Sequence, residues 1–171
     1  VERYDKNDAI SICKNALKKT INIHTNSDVP LGISLSGGFD SSTLLSGLSL
    51  NKYLDKNVKS FSVDFGSFFS EKYWIEIATK HYGINAFLSS FKPQNFLDSL
   101  KPMMWHLEGP IGGLMNCALS MVMKKAKEND ITVLLGGMGL DEVFAGYRNM
   151  HNIYIKNLIK GNFPDAQRAL A

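Results

Sequence analysis

Two glycine-containing runs hold the residue types from which an anion site is built. The first is Ser36-Gly37-Gly38-Phe39-Asp40-Ser41-Ser42. Adjacent glycines let backbone N–H groups turn toward a phosphate with no Cβ in the way, and three serine hydroxyls and a helix start add further donors. Asp40 alone would repel phosphate, so its place beside the loop makes sense if it holds Mg²⁺ against phosphate oxygens. The run is neither GxxxxGK(S/T) nor GxGxxG, which removes the main support for kinase-like and dinucleotide readings. A bare Ser-Gly-Gly turn could simply join a strand to a helix; the Asp-Ser-Ser extension argues for more. The second run is Gly136-Gly137-Met138-Gly139-Leu140-Asp141-Glu142-Val143-Phe144-Ala145-Gly146-Tyr147. Asp141 and Glu142 are adjacent, so on a helix their side chains diverge by about 100° and do not both face one ion. One suits a metal ligand and the other a cap or orienting group; an acidic helix start favoured by the macrodipole is the plainer reading.

Both runs must be held by regular structure, and the pattern predicts where. Ala9, Ile10, Cys13, Ala16, Leu17 and Ile21 recur at helical spacing, giving an amphipathic helix over about 8–22 capped by Asn7 or Asp8, with Cys13 in the core. A loop over 26–30 leads to a short apolar strand, 31–36, and the first glycine run follows it directly. Leu44, Leu45 and Leu48 continue as a helix, and a polar turn over 51–57 precedes a strand over 58–65. Ser70 caps a helix carrying Trp74, Ile77 and Ala78 that stops at Gly83, before a strand over 84–88. Pro93 opens a helix with Phe96, Leu97, Leu100 and Met104. A helix over 114–128 then leads to Ile131–Leu135, which reads as a fully buried strand ahead of the second run. After Tyr147 the chain turns polar and weakly periodic. Strands alternating with helices imply an α/β fold, a parallel sheet with helices on both faces, so both runs leave the sheet at its carboxyl edge, where ligands bind.

Composition narrows the function classes. The 171 residues are 44% apolar and carry a net charge of +3, which fits a single domain and argues against a nucleic-acid tail or polybasic anchor. Cys13 and Cys117 form no CxxC pair, so no disulfide framework or zinc knuckle is expected and a cytoplasmic setting fits. His24, His81, His106 and His151 lack metal-ligand spacing. Met103, Met104, Met115, Met121 and Met123 are expected to fill core, and Lys72, Lys124, Lys125 and Lys127 to lie on solvated helix faces. No apolar run reaches the roughly 20 residues needed to span a bilayer. A start without methionine and an end without a stop signal lead us to expect a piece of a longer polypeptide.

Ser36–Ser42 resembles the SGGxDSS pyrophosphate loop of the PP-loop ATP pyrophosphatases. Together with Ser27-Asp28-Val29-Pro30-Leu31-Gly32, Ser60-Phe61-Ser62-Val63, Glu71 ahead of Ala78, Glu108-Gly109-Pro110 and the second run, it is similar to the synthetase domain of glutamine-hydrolysing asparagine synthetases, over roughly residues 20 to 150. The resemblance implies the PP-loop (adenine nucleotide alpha hydrolase-like) fold and one ATP-binding domain over 1–171, truncated at its C-terminus and lacking the N-terminal glutaminase domain. It implies ATP and Mg²⁺ as cofactors. Pyrophosphate would lie on Ser36, Gly37, Gly38, Asp40, Ser41 and Ser42, and magnesium on Asp40 and Asp141. Adenosine would lie near Ser34, Leu35 and Val63 with Gly136 and Gly137 closing over it, and Asp40, Asp141 and Glu142 would form the catalytic set. The implied chemistry is activation of a carboxylate as an acyl-adenylate with release of pyrophosphate, then amide formation by ammonia from glutamine. The implied partners are a small-molecule carboxylate acceptor and a glutaminase domain, with no nucleic acid or membrane; self-association stays open.

One departure bears on the acceptor. Asparagine-forming members have Ser-Gly-Glu-Gly where this chain has Gly136-Gly137-Met138-Gly139, and a thioether cannot serve as a base. A non-aspartate acid, such as a surface-polysaccharide sugar acid, is therefore the alternative acceptor, and a non-catalytic nucleotide-binding module is a further reading. Enzymes that adenylate tRNA or sulfur carriers share the loop, but would want a redox cysteine pair and a basic surface. Glu108 is a candidate for the acceptor or ammonia path, with a helix-capping role as its competitor. The 171 residues alone are expected to bind nucleotide weakly or not at all and to show no turnover.

Overall fold

The computed structural model describes residues 5–54, 58–66 and 69–160, with side chains to residue 157. The expected polar turn over 51–57 therefore lies partly outside the described residues. The chain divides into two compact units, Val1–Gly136 and Gly137–Ala171.

The first unit runs α1 (Lys6–His24), β1 (Leu31–Ser34), α2 (Phe39–Leu50), β2 (Lys59–Asp64), α3 (Lys72–Tyr82), β3 (Asn85–Ser90), α4 (Pro93–Leu107), α5 (Leu114–Lys127) and β4 (Val133–Leu135). The strands form one sheet in the order β3-β2-β1-β4, with every pairing parallel. Parallel neighbours need crossover connections, and the helices between these strands supply them. Alternation along the strands sends side chains to two cores. Ile33, Leu35 and Val58 join Ile21 of α1, Leu45 and Leu48 of α2 and Ile75 of α3 on one face. Phe61 joins Val122 and Ala126 of α5 and Ile131 on the other. Phe61 also stacks on Phe87 of β3, with ring centroids 5.3 Å apart. The α/β class and the two covered faces are as expected.

Several local expectations change. The N-cap of α1 is Asp5, whose carboxylate accepts the Asn7 N–H, not Asn7 or Asp8. Cys13 is exposed and Cys117 buried, because α1 packs on the core through Leu17 and Ile21, leaving Cys13 with Ile10 and Ile12 in solvent. A side chain at Gly47 would collide with Ile21 Cδ1, so this glycine permits the close approach of α1 to α2. Ser70 does not cap α3: Glu71 is its N-cap residue, and Ser70 Oγ accepts the Lys72 N–H. Ile75 and Thr79 are the buried residues of α3, while Trp74 and Ile77 are exposed. Gly83 ends α3 as expected, at a left-handed φ of 65° that a side chain would strain.

The run 131–135 is not a fully buried strand. Its β4 portion is half-buried and pairs only with β1, at an edge of the sheet among the described residues. Met103 is buried, whereas Met104, Met115 and Met123 are exposed, so the methionines divide between core and surface. The four histidines are exposed. No helix among the described residues is long and apolar enough to cross a membrane.

The second unit contains α6 (Leu140–Phe144) and α7 (Arg148–Lys160). The stretch after Tyr147 is thus helical where weak periodicity left it unassigned; polar residues such as Arg148, Asn149, Asn152 and Lys156 are compatible with a helix exposed along most of its length.

Candidate functional site

β1 ends half-buried at Ser34, level with Phe61 of β2. Leu35 continues the extended line: its N–H donates to the Phe61 carbonyl at 3.0 Å, its carbonyl accepts from Ser62 Oγ, and its side chain enters the core. The chain then breaks from the sheet, because Ser36 to Gly38 must reverse into α2 at once. Ser41 makes that reversal possible. Its buried hydroxyl donates to the Ser36 carbonyl at 2.8 Å, accepts the Ser36 N–H at 3.1 Å and lies 2.9 Å from Ser36 Oγ. Ser42 Oγ donates to the Gly38 carbonyl at 2.8 Å, and the Gly38 N–H donates to Ser36 Oγ at 3.2 Å. The serine hydroxyls, expected as donors to phosphate, brace the loop's own backbone.

Gly38 is the N-cap of α2 and offers no side chain to the first-turn N–H groups, so the positive end of a 12-residue helix lies at the loop. Asp40 follows in that first turn, half-buried. A Cβ on Gly37 would lie 2.9 Å from Glu71 Cβ and 3.0 Å from Trp74 Cβ, so only glycine fits between the loop and the start of α3. Glu71 reaches across from that start: its Oε2 accepts the Gly37 N–H at 3.2 Å. Residue spacing could not reveal this contact, since 34 residues separate the partners; the signal was Glu71 in the resemblance.

Val63 is half-buried near the end of β2 and packs against the Phe61 core. β4 runs parallel beside β1 with Leu135 level with Ile33, so Gly136 leaves the sheet at the same carboxyl edge as the Ser36 loop. A Cβ at Gly136 would meet open space. Ser34, Leu35, Ser36, Gly37, Gly38, Asp40, Ser41, Ser42, Val63 and Gly136 thus lie on adjoining strands and loops of the first unit.

Gly137, Met138, Asp141 and Glu142 belong to the second unit. Gly139, at φ 107°, turns the chain into α6, and Ala145 closes that helix in the left-handed region. The Gly146 N–H donates to the Asp141 carbonyl at 2.8 Å, and a side chain at Gly146 would collide with Asp141 Oδ1. Glu142 turns elsewhere, as adjacent helical residues must: its Oε1 accepts from Tyr147 Oη at 2.7 Å. That bond, aided by its own backbone N–H, holds the Glu142 carboxyl below the usual carboxylate range. Met138 is 85% exposed. Glu108 is exposed and is the C-cap of α4 at φ 51°.

The first-unit loop fits a polyphosphate, having glycine where a Cβ would be excluded, an N-cap without a side chain and a carboxylate in the first turn of the helix. Among the described residues no three His, Cys, Asp or Glu side chains gather around a metal position. Magnesium bound mainly through phosphate oxygens needs only one or two protein carboxylates, and Asp40 meets that requirement.

Comparison with known proteins bears on the fold and the family. The solved structure of the U34-tRNA thiolase NcsA from Methanococcus maripaludis, with its 4Fe-4S cluster, superposes with a TM-score of 0.54 over 94% of this chain and 53% of that one, at 20% identity. That likeness shows the fold, which is the expected PP-loop type. The chain is 35% identical over 142 residues to the glutamine-hydrolyzing asparagine synthetase 1 of Bacillus subtilis, covering 82% of this chain and 21% of the relative. It is 29% identical over 189 aligned residues to asparagine synthetase B of Escherichia coli, covering 96% and 33%. It therefore spans between 21% and 33% of the length of these two relatives. The family model described as asparagine synthase matches residues 13–170, which takes in both glycine runs and the strands that carry them, and the chain belongs to that family.

Proposed function

We propose that the full-length protein containing this chain is an ATP-dependent carbon–nitrogen ligase, with glutamine as nitrogen donor, and that these residues form most of its nucleotide half. A carboxylate oxygen attacks the α-phosphorus, the bond to pyrophosphate breaks, and ammonia then attacks the acyl carbon and expels AMP. The observation that carries the reading is the α2 N-terminus, where the N-cap Gly38 offers no side chain to the first-turn N–H groups and Asp40 lies in that same first turn. Charge develops on the departing pyrophosphate, so fixed N–H dipoles aimed there lower the barrier. Magnesium, when bound, neutralises part of that charge; Asp40 is its proposed ligand from the loop and Asp141 the second carboxylate assigned to it. Ser34, Leu35 and Val63 are proposed to border adenosine, with Gly136 and Gly137.

Met138 favours a refinement. Its exposed thioether stands where asparagine-forming members have Glu, and it offers neither a base nor a strong acceptor to an amine, so the acceptor we favour is an acid other than aspartate. The test is pyrophosphate release by the full-length protein with ATP, Mg²⁺ and glutamine across a panel of carboxylic acids. We expect release that depends on one acid and is abolished in Asp40→Ala. Asparagine formed from aspartate would refute the Met138 argument, release dependent on RNA would move the protein to tRNA modification, and no release with any acid would mark a non-catalytic module.

A further inference from the structure

Glu71 stands at the N-cap of α3 yet its side chain does not cap its own helix. An N-cap side chain ordinarily accepts an N–H two or three residues on. Here Ser70 Oγ accepts the Lys72 N–H, and the Glu71 carboxylate crosses to the loop after β1, where Oε2 takes the Gly37 N–H at 3.2 Å. The close approach is enforced from behind: a Cβ at Gly37 would lie within 3.0 Å of Glu71 Cβ and Trp74 Cβ, so the chain has brought α3 as near the loop as glycine allows. An anion is therefore hydrogen-bonded to a backbone donor of the very loop that fits a polyphosphate.

We propose that the Glu71 carboxylate is a placeholder anion, occupying the Gly37 N–H when the loop is empty and yielding it to a phosphate oxygen when nucleotide or pyrophosphate binds. This rests on the nucleotide reading above and deepens it. One N–H cannot be donated well to two anions, and two anions at one donor repel. Glu71 is exposed and its bond is long, so the contact has surface strength and gives way to a multiply charged phosphate. While in place it keeps the loop donor turned outward. Its charge also favours departure of pyrophosphate, since the carboxylate competes for the same proton. Glu71 is thus a positioning residue that sets how tightly the loop retains its anion.

The test uses the full-length protein with glycine-selective ¹⁵N and glutamate-selective ¹³C labelling, titrated with inorganic pyrophosphate without added metal. In the wild type we expect the Gly37 amide and the Glu71 carboxyl carbon to shift together with one midpoint. In Glu71→Gln the Gly37 amide is displaced in the free protein and coincides with the wild type at saturation, and pyrophosphate binds roughly two- to fivefold more tightly, the range expected for removal of an exposed charged competitor. Equal or weaker binding in Glu71→Gln overturns the inference, as does a Glu71 carboxyl signal unmoved by pyrophosphate, a readout that needs no variant. If residues 36–42 do not respond at all, the nucleotide reading fails and this inference with it; if they respond while the Gly37–Glu71 pair stays joined, only this inference fails.

Discussion

Tyr147 and Glu142 form a short hydrogen bond across the α6 turn, and its effect is measurable in one titration. The phenol stabilises the ionised carboxylate, so the Glu142 carboxyl sits below its usual range. A depressed folded value means that the bond's contribution is present above the unfolded Glu range and is lost as pH falls through the lowered folded value. We expect Tyr147→Phe to move the Glu142 midpoint upward toward an ordinary carboxylate in a ¹³C-detected pH titration; an unmoved midpoint would assign the shift to the backbone. At this scale the first glycine run stands out in the sequence itself as a candidate anion site, because glycine pairs, hydroxyls and an acid in succession have few joint uses. The direction of the hydroxyls is not: whether Ser41 faces outward or back to Ser36 depends on how sharply the chain leaves β1. Nor is the reach of Glu71, whose partner is distant along the chain.

Element existence is readable because apolar spacing and stops such as Gly83 act locally, whereas burial depends on which neighbours arrive. Leu45 and Trp74 make the contrast. Both sit in periodic helices, but α2 is covered by α1 and the sheet while Trp74 meets the Gly37 loop only near its Cβ, so Leu45 is buried and Trp74 is 59% exposed. Cys13 fails for the same reason, lying off the narrow stripe by which α1 docks. The half-buried β4 reflects its position at the edge, which a run of apolar residues cannot reveal. Leu45 also links stability to the site, since α2 carries the loop on its first turn. Leu45→Ala is expected to cost about 2–5 kcal/mol in denaturant unfolding, the range for truncating a buried leucine. The exposed Trp74→Ala should stay within about 1 kcal/mol.

Across the molecule, the described residues leave large apolar side chains in solvent, including both tryptophans, with Trp105 81% exposed. Folded Val1–Ala171 should therefore emit close to the wavelength of its denatured form and be quenched readily by iodide; a strongly blue-shifted emission would show that one of the two indoles is covered. A different consequence follows from the pairing of β1 with β4. Leu31 lies opposite Val133, although β1 can already pair with β2 at Lys59. During translation, at roughly 5–20 residues per second, the ribosome needs on the order of 5–20 seconds to travel from one of these partners to the other. The nascent polypeptide thus waits with a bare flank beside its first strand, open to chaperones or to mispairing, and the sheet edge from which the Ser36 loop and Gly136 depart is completed only once β4 has been made.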